Sequence, residues 1–301
     1  MKVIRIIDRI SDIILEIALI VALLIGGYSL WDSKQVYDAA DASNYATFHP
    51  TENDTVSFDE LRRINPEVFA WLTVNDTPID YPVAQADDNS KYINTNAEGQ
   101  YTLSGAIFLD YRNSPSFDDF NSIFYGHHME QKMMFGSLSD FVEQAYFDSH
   151  PYGNLFFDGK DHGLEFFALI LTDAYDDDLL SPAITGEDQR KYYLNRLLER
   201  ASLKRDIPVS EKDQLVLLST CTSEITNGRY VLVGKISEQL HLQERPAPVV
   251  RRLDVSNKYA NMLTSLPVLV WIALAAALIF LLLRSDRGKD RKNNNKNTAG
   301  K

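Results

Sequence analysis

Two long apolar segments lie near the two ends of the 301-residue chain. Residues 13–31 contain one charged residue, Glu16, and residues 266–283 contain none. At 1.5 Å per residue the second segment forms a helix about 27 Å long, which is enough to cross a thin hydrocarbon core. The pattern therefore predicts two transmembrane helices. A buried core helix is the alternative for each segment, and a cleaved signal peptide is a further alternative for the first.

Basic residues flank both apolar segments on the side toward the chain end. Lys2, Arg5 and Arg9 precede the first segment. Seven cations follow the second, and six of them are Arg284, Arg287, Lys289, Arg291, Lys292 and Lys296. Because cytoplasmic loops and tails carry an excess of Lys and Arg, both termini are predicted to be cytoplasmic. Residues 32–265 would then lie outside the cell, in a two-pass protein of the cell membrane.

Between the two spans, short apolar runs alternate with turn residues, a pattern typical of β-strands. The eight runs are 69–74, 78–83, 105–110, 121–126, 153–158, 164–175, 213–220 and 229–236. Helical patterns interrupt them at 57–69, 137–147 and 185–202. Many short strands with few helices predict a mainly β fold, either a barrel or a sandwich, with helical insertions.

These patterns divide the chain into seven parts. They are a cytoplasmic N-terminus (1–12), a transmembrane helix (13–31), an extracellular stalk (32–56), a mainly β domain (57–238), a connector (239–265), a second transmembrane helix (266–283) and a basic cytoplasmic tail (284–301). Only the β domain has the pattern of a soluble hydrophobic core, so any chemistry is expected there.

Composition and charge narrow the function classes. Apolar residues make up 45% of the chain and charged residues 24%, which argues against a disordered chain. The formal net charge of −12 disfavours nucleic-acid binding, because that requires Lys and Arg to neutralise phosphates. The single cysteine, Cys221, excludes an intramolecular disulfide and a cysteine-based zinc site.

Cys221 is the first candidate for chemistry. It ends an apolar run and precedes a polar loop, so its thiol is expected at a strand end. His127 and His128 likewise follow an apolar strand, directly after Gly126. An imidazole beside a thiol lowers the pKa of the thiol and later donates a proton to the leaving amine, as a cysteine nucleophile requires. The alternative is that Cys221 is a small residue of the core.

Arg229 begins the next strand, eight residues past Cys221. A tight connection would bring its guanidinium back beside the thiol, where a fixed cation would stabilise a developing oxyanion. The alternative is a solvated surface arginine. A zinc site on His127 and His128 is disfavoured, because adjacent side chains on an extended chain point in opposite directions.

The order of these residues resembles the sortase family of cysteine transpeptidases. The family's pattern is a histidine, then a [TL]-x-T-C strand end, then an arginine at the start of the following strand. Here it is matched by Tyr125-Gly126-His127, by LLSTC at 217–221 and by Arg229. Segments 64–83, 105–114 and 122–141, together with the helix at 185–202, are similar to class B sortases in particular. The resemblance covers residues 57–238.

The resemblance implies a fold and a set of site residues. The fold would be the eight-stranded sortase β-barrel, flanked here by two transmembrane helices. His127 matches the catalytic histidine, Cys221 the nucleophile, and Arg229 the arginine that positions the substrate and stabilises the oxyanion. Substrate-binding positions are matched by Ser219, Thr220 and Glu224. No metal ion or organic cofactor is implied.

The resemblance also implies a function, that of a membrane-anchored transpeptidase of a Gram-positive-type cell envelope. Its substrates would be surface proteins or pilins with a C-terminal sorting signal similar to LPxTG or NPxTx. Cleavage after Thr would proceed through a Cys acyl-enzyme, and a cell-wall precursor would supply the acceptor amine. The alternative acceptor is the lysine amine of a pilin.

One feature departs from the class B pattern, in which a single N-terminal anchor is usual. A C-terminal span such as 266–283 is commoner among pilin-polymerising sortases. Those enzymes often carry a lid with an Asp-Pro-aromatic motif, and the predicted stalk of this chain lacks that motif.

Two further alternatives concern the activity itself. One is a Cys/His peptidoglycan hydrolase or another thiol peptidase. Those of the papain kind place Cys before His, whereas here His127 comes first. A non-catalytic envelope scaffold with a buried Cys221 is the alternative from another class.

Overall fold

The computed structural model describes residues 2–50, 56–221 and 227–241, and for Lys2, Arg9 and Cys221 it describes the backbone only. The chain divides into two compact units, of which the second, Val36–Val250, contains all the described strands. The predicted second span and the basic tail lie outside the described residues. The same holds for all but the first three residues of the predicted connector.

The N-terminal apolar segment forms part of one long helix, α1 (Lys2–Ala40). Within the described residues, one helical stretch, Val3–Phe48, is long and apolar enough to cross a membrane, and its most apolar window has a mean hydropathy of 2.4 with no part buried. This observation is compatible with the first predicted span.

Each of the eight predicted apolar runs forms a strand. The described residues form nine strands: β1 (Val68–Val74), β2 (Asp80–Ala84), β3 (Ile107–Leu109), β4 (Asn121–Tyr125), β5 (Tyr152–Phe157), β6 (Lys160–Asp173), β7 (Leu203–Lys204), β8 (Leu215–Cys221) and β9 (Gly228–Ser237). Only the two-residue β7 was not predicted. It is too short to give a period-2 pattern.

Eight of these strands close into a barrel. Their order around it is β1, β2, β3, β4, β8, β9, β6 and β5, and pairing of β5 with β1 completes the ring. β2–β3 and β4–β8 are parallel pairs, and every other described pair is antiparallel. The predicted mainly β fold is therefore confirmed as a closed barrel.

Side chains of β8 alternate between two apolar clusters. Val216 and Leu218 lie in the cluster inside the barrel, whereas Leu215 and Leu217 lie in a second cluster on its outer face. Helix α4 (Glu187–Arg200) covers that outer face with buried residues that include Leu197. A strand buried on both faces has a continuous apolar run, which is why LVLL in β8 shows no polar alternation.

The other helices are shorter than the sequence patterns suggest. The predicted helix at 57–69 ends at Ile64, giving α2 (Val56–Ile64), because Pro66 disfavours helical backbone at the residue before it. The predicted helix at 137–147 divides into a 3₁₀ helix (Gly136–Val142) and α3 (Gln144–Ser149).

Part of the predicted stalk packs onto the barrel. Helix α1 continues to Ala40, Asp41 caps a 3₁₀ helix (Ala42–Phe48), and Ala40 and Tyr45 are buried in the main core. The N-terminal part of the predicted stalk (32–56) therefore contacts the core of the β domain through Ala40 and Tyr45. Isolated apolar residues that contact strands far along the chain leave no periodic pattern, so this contact could not be predicted from the hydrophobic pattern.

Candidate active site

Parallel pairing of β4 with β8 brings the predicted histidine and cysteine segments to one rim of the barrel. Tyr125 is in register with Ser219, so the residues that follow on each strand leave the sheet at the same edge. Two hydrogen bonds join the ends of β4 and β8 beyond the last paired residues. The Gly126 N–H donates to the Ser219 carbonyl (3.3 Å), and the Thr220 hydroxyl donates to the Gly126 carbonyl (2.7 Å).

Antiparallel pairing of β8 with β9 adds the arginine. Cys221 and Arg229 are directly opposite each other in the ladder, and Arg229 also pairs with Thr172 of β6. Arg229 therefore occupies a central strand position at the rim, with the cysteine backbone beside it. The geometry of the backbone thus brings the three predicted segments together at one site.

The ring of His127 is held by a backbone carbonyl. Its Nε2 lies 2.8 Å from the carbonyl oxygen of Ile93. A carbonyl can only accept, so Nε2–H is the donor, and in the neutral ring Nδ1 is then the basic nitrogen. The contact therefore fixes the orientation of the His127 ring and its tautomer.

The Ile93 carbonyl is fixed by the short 3₁₀ turn Lys91–Ile93 and by what surrounds it. The Lys91 ammonium bonds both carboxylate oxygens of Glu67 (2.7 Å each), and the Tyr92 hydroxyl donates to the same carboxylate (2.6 Å). Partial burial opposes ionisation of Glu67, but the bonds from Lys91 and Tyr92 outweigh it and lower its pKa. Gly105, at φ +61°, passes so close that a Cβ there would lie 2.6 Å from the Ile93 oxygen.

A cleft of about 300 Å³ opens beside this rim. The described residues that line it are Asn89, Ile93, Phe108, Tyr125, Gly126, His127, Ser219 and Arg229. Ser219 is buried, and its Oγ has no hydrogen-bond partner within the part of the chain that the structure describes. A buried hydroxyl without a partner is unusual and suits a peptide group that would enter the cleft.

A buried carboxylate lies behind the cleft wall. Asp110 accepts two bonds from the Arg112 guanidinium (2.9 Å each), one from the Asn89 amide (2.9 Å) and one from the Tyr125 hydroxyl (3.1 Å). Burial opposes ionisation, but the bonds from Arg112 and Asn89 outweigh it and lower the pKa of Asp110. Burial and the neighbouring Asp110 raise the pKa of Tyr125. Asp110 therefore fixes two side chains of the cleft, Asn89 and Tyr125.

His128 has a different environment from His127. It is not among the described residues that line the cleft, its buried Nδ1 has no described partner, and its ring lies 6.2 Å from that of Tyr230. Burial lowers its pKa, the nearby Lys132 lowers it further, and Asp140 opposes the shift. The two adjacent histidines therefore do not share one site.

The remaining predicted site residues differ in where they lie. Ser219 lines the cleft, whereas the Thr220 hydroxyl is directed at Gly126 and joins β8 to β4. Glu224 lies outside the described residues. Sequence reasoning missed Asn89, Ile93 and Asp110. Asp110 falls within the class B-like segment 105–114, but nothing in that segment indicates that the carboxylate is buried.

Comparisons with known proteins agree on one family. No family model matches the chain. Sortase B of Listeria monocytogenes is 32% identical over 209 residues, which cover 68% of this chain and 82% of the relative. The crystal structure of sortase B from the type II pilus of Streptococcus pneumoniae is 46% identical with a TM-score of 0.54, covering 60% of this chain and 99% of that one. A Streptococcus pyogenes class B sortase involved in pilus biogenesis is 39% identical with a TM-score of 0.56, covering 60% and 98%.

Proposed function

This chain belongs to the class B sortases, a family of cysteine transpeptidases, and on that premise we propose that Cys221, His127 and Arg229 are its catalytic residues. The observation that carries the proposal is the shared rim. Parallel β4 and β8 end side by side, Arg229 stands opposite Cys221, and His127 and Arg229 both line the 300 Å³ cleft.

In the first half-reaction the Cys221 thiolate attacks the backbone carbonyl carbon of Thr in a C-terminal sorting signal. The carbonyl π electrons move to oxygen, and the Arg229 guanidinium stabilises that oxyanion. Collapse of the tetrahedral intermediate breaks the C–N bond, and protonated His127 gives its Nδ1 proton to the leaving amine. The product is a thioester between Cys221 and Thr. The Ile93 carbonyl supports this step because it holds the opposite ring nitrogen.

In the second half-reaction an acceptor amine attacks the thioester. Neutral His127 takes the proton from the attacking nitrogen, an amide bond forms, and the Cys221 thiolate leaves. The enzyme returns to its starting state, so the cycle consumes one amine and releases the C-terminal fragment of the signal.

The sorting signal would bind in the cleft. The Ser219 hydroxyl, which has no partner among the described residues, and the Asn89 amide offer polar contacts, while Ile93 and Phe108 offer apolar ones. Thr220 contributes through the position of β8 and not through direct contact. A role for Glu224 rests on family resemblance alone.

We further propose that the enzyme works at the outer face of the cell membrane. The apolar part of α1 is the first anchor and residues 266–283 are the second, with both termini cytoplasmic. The cations beside each segment support this orientation.

For the acceptor we propose the lysine amine of a pilin. The sequence pattern favoured a cell-wall amine, but identity to the two pilus-associated structures, 46% and 39%, exceeds the 32% identity to Listeria sortase B. The second predicted anchor points the same way, because a growing polymer is itself tethered to the membrane. A cell-wall acceptor is the alternative.

The activity is tested with the purified full chain in detergent and a fluorogenic sorting-signal peptide. Wild type is expected to cleave and to give a thioester adduct by mass spectrometry, and Cys221→Ala to do neither. His127→Ala and Arg229→Ala are each expected to lose about 10²–10³ or more in kcat/KM. His128→Ala is the matched control and should lose little. An active Cys221→Ala would overturn the assignment of the nucleophile. A wild type that does not cleave, and whose thiol no alkylating reagent reaches, would support the non-catalytic scaffold.

Deletion of the gene tests the acceptor. Loss of a high-molecular-weight protein ladder from wall extracts is expected if the acceptor is a pilin. Release of one discrete surface protein into the medium, with the ladder intact, would favour the cell-wall amine.

A further inference from the structure

The segment that follows His127 has a strained backbone. Gln131, Lys132 and Met134 have φ of 60°, 62° and 53°, in the left-handed region that side chains other than glycine rarely adopt. Such backbone persists only where the surrounding structure determines it more strongly than local preference does. Contacts from elsewhere in the fold must therefore hold residues 131–134.

This strained segment is joined directly to the histidine pair. The Phe135 N–H donates to the His127 carbonyl (3.0 Å), and Met134 forms a β-bridge with His128. Phe135 is fully buried, and a Cβ on Gly126 would lie 2.8 Å from its ring. A shift of residues 134 and 135 would therefore move the backbone of His127.

One buried hydroxyl holds the strained segment from the other side. Tyr81 of β2 accepts a hydrogen bond from the Met134 N–H (3.1 Å) and donates one to the Ala40 carbonyl (2.9 Å). Burial raises the pKa of Tyr81 to about 12, so the phenol keeps the proton it donates throughout the neutral range. Ala40 is the last residue of α1 and is itself buried.

A second contact joins the same two parts at the surface. The Tyr37 hydroxyl, one helical turn before Ala40, donates to the Glu130 carboxylate (3.2 Å). The end of α1 thus contacts the segment after His127 at two points, one buried and one half-exposed.

We propose that Tyr81 is a positioning residue for His127, through which the last turn of α1 sets the geometry of the catalytic histidine. This inference rests on the proposed function. Tyr81 lies outside the described lining of the cleft, so its effect should fall on the chemical step and not on binding of the sorting signal. Attachment of the end of α1 would then be part of the active conformation.

The test is Tyr81→Phe in the detergent-solubilised full chain. The substitution removes only the hydroxyl, and circular dichroism with thermal melting checks the fold. A catalytic group misplaced by about 1 Å can cost about 10²-fold in rate. A smaller shift of His127 in Tyr81→Phe is therefore expected to lower kcat about tenfold, while KM stays within about twofold of wild type. The pH profile of kcat should also shift, because the environment of His127 changes.

Tyr45→Phe is the matched control. Tyr45 is a buried tyrosine of the 3₁₀ helix that follows α1, and its hydroxyl bonds to the backbone of Ala97. As for Tyr81, burial raises its pKa to about 12. The Tyr45→Phe variant should lower the melting temperature about as much as Tyr81→Phe does, while kcat and the pH profile stay unchanged. Tyr37→Phe should lower kcat slightly, and its effect should not simply add to that of Tyr81→Phe.

The outcomes separate this inference from the proposed function. If wild type is active and Tyr81→Phe has the same kcat and pH profile as Tyr45→Phe, the positioning role alone is overturned. A rise in KM with unchanged kcat would also overturn it. Wild type that fails to cleave any sorting-signal peptide, with no difference from Cys221→Ala, would overturn the proposed function itself.

Discussion

The hydroxyl of Thr220 donates a 2.7 Å hydrogen bond to the carbonyl of Gly126. It joins the residue before Cys221 to the residue before His127, although the two are 94 positions apart in the chain. Both are neighbours of proposed catalytic residues. Together with the bond from the Gly126 N–H to the Ser219 carbonyl, this bond holds the two strand ends side by side.

Thr220→Val tests that bond, because valine keeps the shape of threonine and lacks the hydroxyl. The Gly126 carbonyl loses its side-chain donor, so the free energy of unfolding should fall by about 1–2 kcal/mol. The activity, kcat/KM, should fall about tenfold as the strand ends move. Thr220→Ser retains the donor and should stay near wild type in both. A fully active Thr220→Val would show that the bond does not set the catalytic distance.

Gly105→Ala tests the support of the Ile93 carbonyl. Gly105 has φ +61°, and a Cβ there would lie 2.5 Å from the Tyr92 oxygen and 2.6 Å from the Ile93 oxygen. Displacing the Ile93 carbonyl removes the partner of His127 Nε2, so kcat should fall about tenfold or more.

Gly99→Ala is the control for Gly105→Ala. Gly99 has φ +81°, and no atom lies within 4 Å of an added Cβ. The Gly99→Ala variant therefore has the backbone strain of Gly105→Ala without its steric clash. Its cost should be about 1–2 kcal/mol of stability, seen in urea unfolding, with kcat unchanged. Equal kcat in the two variants would contradict the role given to Ile93.

Asp110→Asn tests the carboxylate behind the cleft wall. Asparagine cannot pair with the Arg112 guanidinium, so stability at pH 7 should fall by about 2–4 kcal/mol. KM for the sorting-signal peptide should rise, because Asn89 and Tyr125 lose the group that fixes them. Asp59→Asn breaks a surface pair with Arg62 in which both side chains are about half exposed (48% and 53%), and should cost under about 1 kcal/mol.

The pH dependence of stability gives a second measurement on Asp110. Its folded-state pKa lies below the ordinary value of 3.8, so its contribution is fully present above that value. The contribution is lost as the pH falls from about 3.8 through the lowered folded-state pKa. Urea unfolding between pH 5 and pH 2.5 should therefore show a smaller loss of stability in Asp110→Asn than in wild type. Parallel curves would contradict an ionised buried Asp110.

The proposed membrane topology rests on the charged flanks of the two apolar segments. A reporter fused at either terminus should be cytoplasmic, and a protease added to intact protoplasts should digest residues 32–265 and spare both tails. An external C-terminal tail would contradict the two-anchor arrangement.

The sequence by itself determined the strands and the class of the fold. The apolar runs of β8 and β9 are local patterns, and each run became a strand because a buried strand needs little beyond apolar residues in succession. The motifs around His127, Cys221 and Arg229 are also local, because each is a short stretch of chain, so the sequence alone indicated the family.

Only the tertiary structure decided what surrounds these residues. Ile93 contacts His127 across 34 positions, Tyr81 contacts Met134 across 53, and Asp110 receives its bond from Asn89 across 21. Each contact depends on which segments the fold brings together and on single polar atoms, which leave no period in the sequence. A hydrophobic pattern shows which face of an element is buried. The partner of a buried hydroxyl or carbonyl is instead set by the distant segment that the fold places beside it.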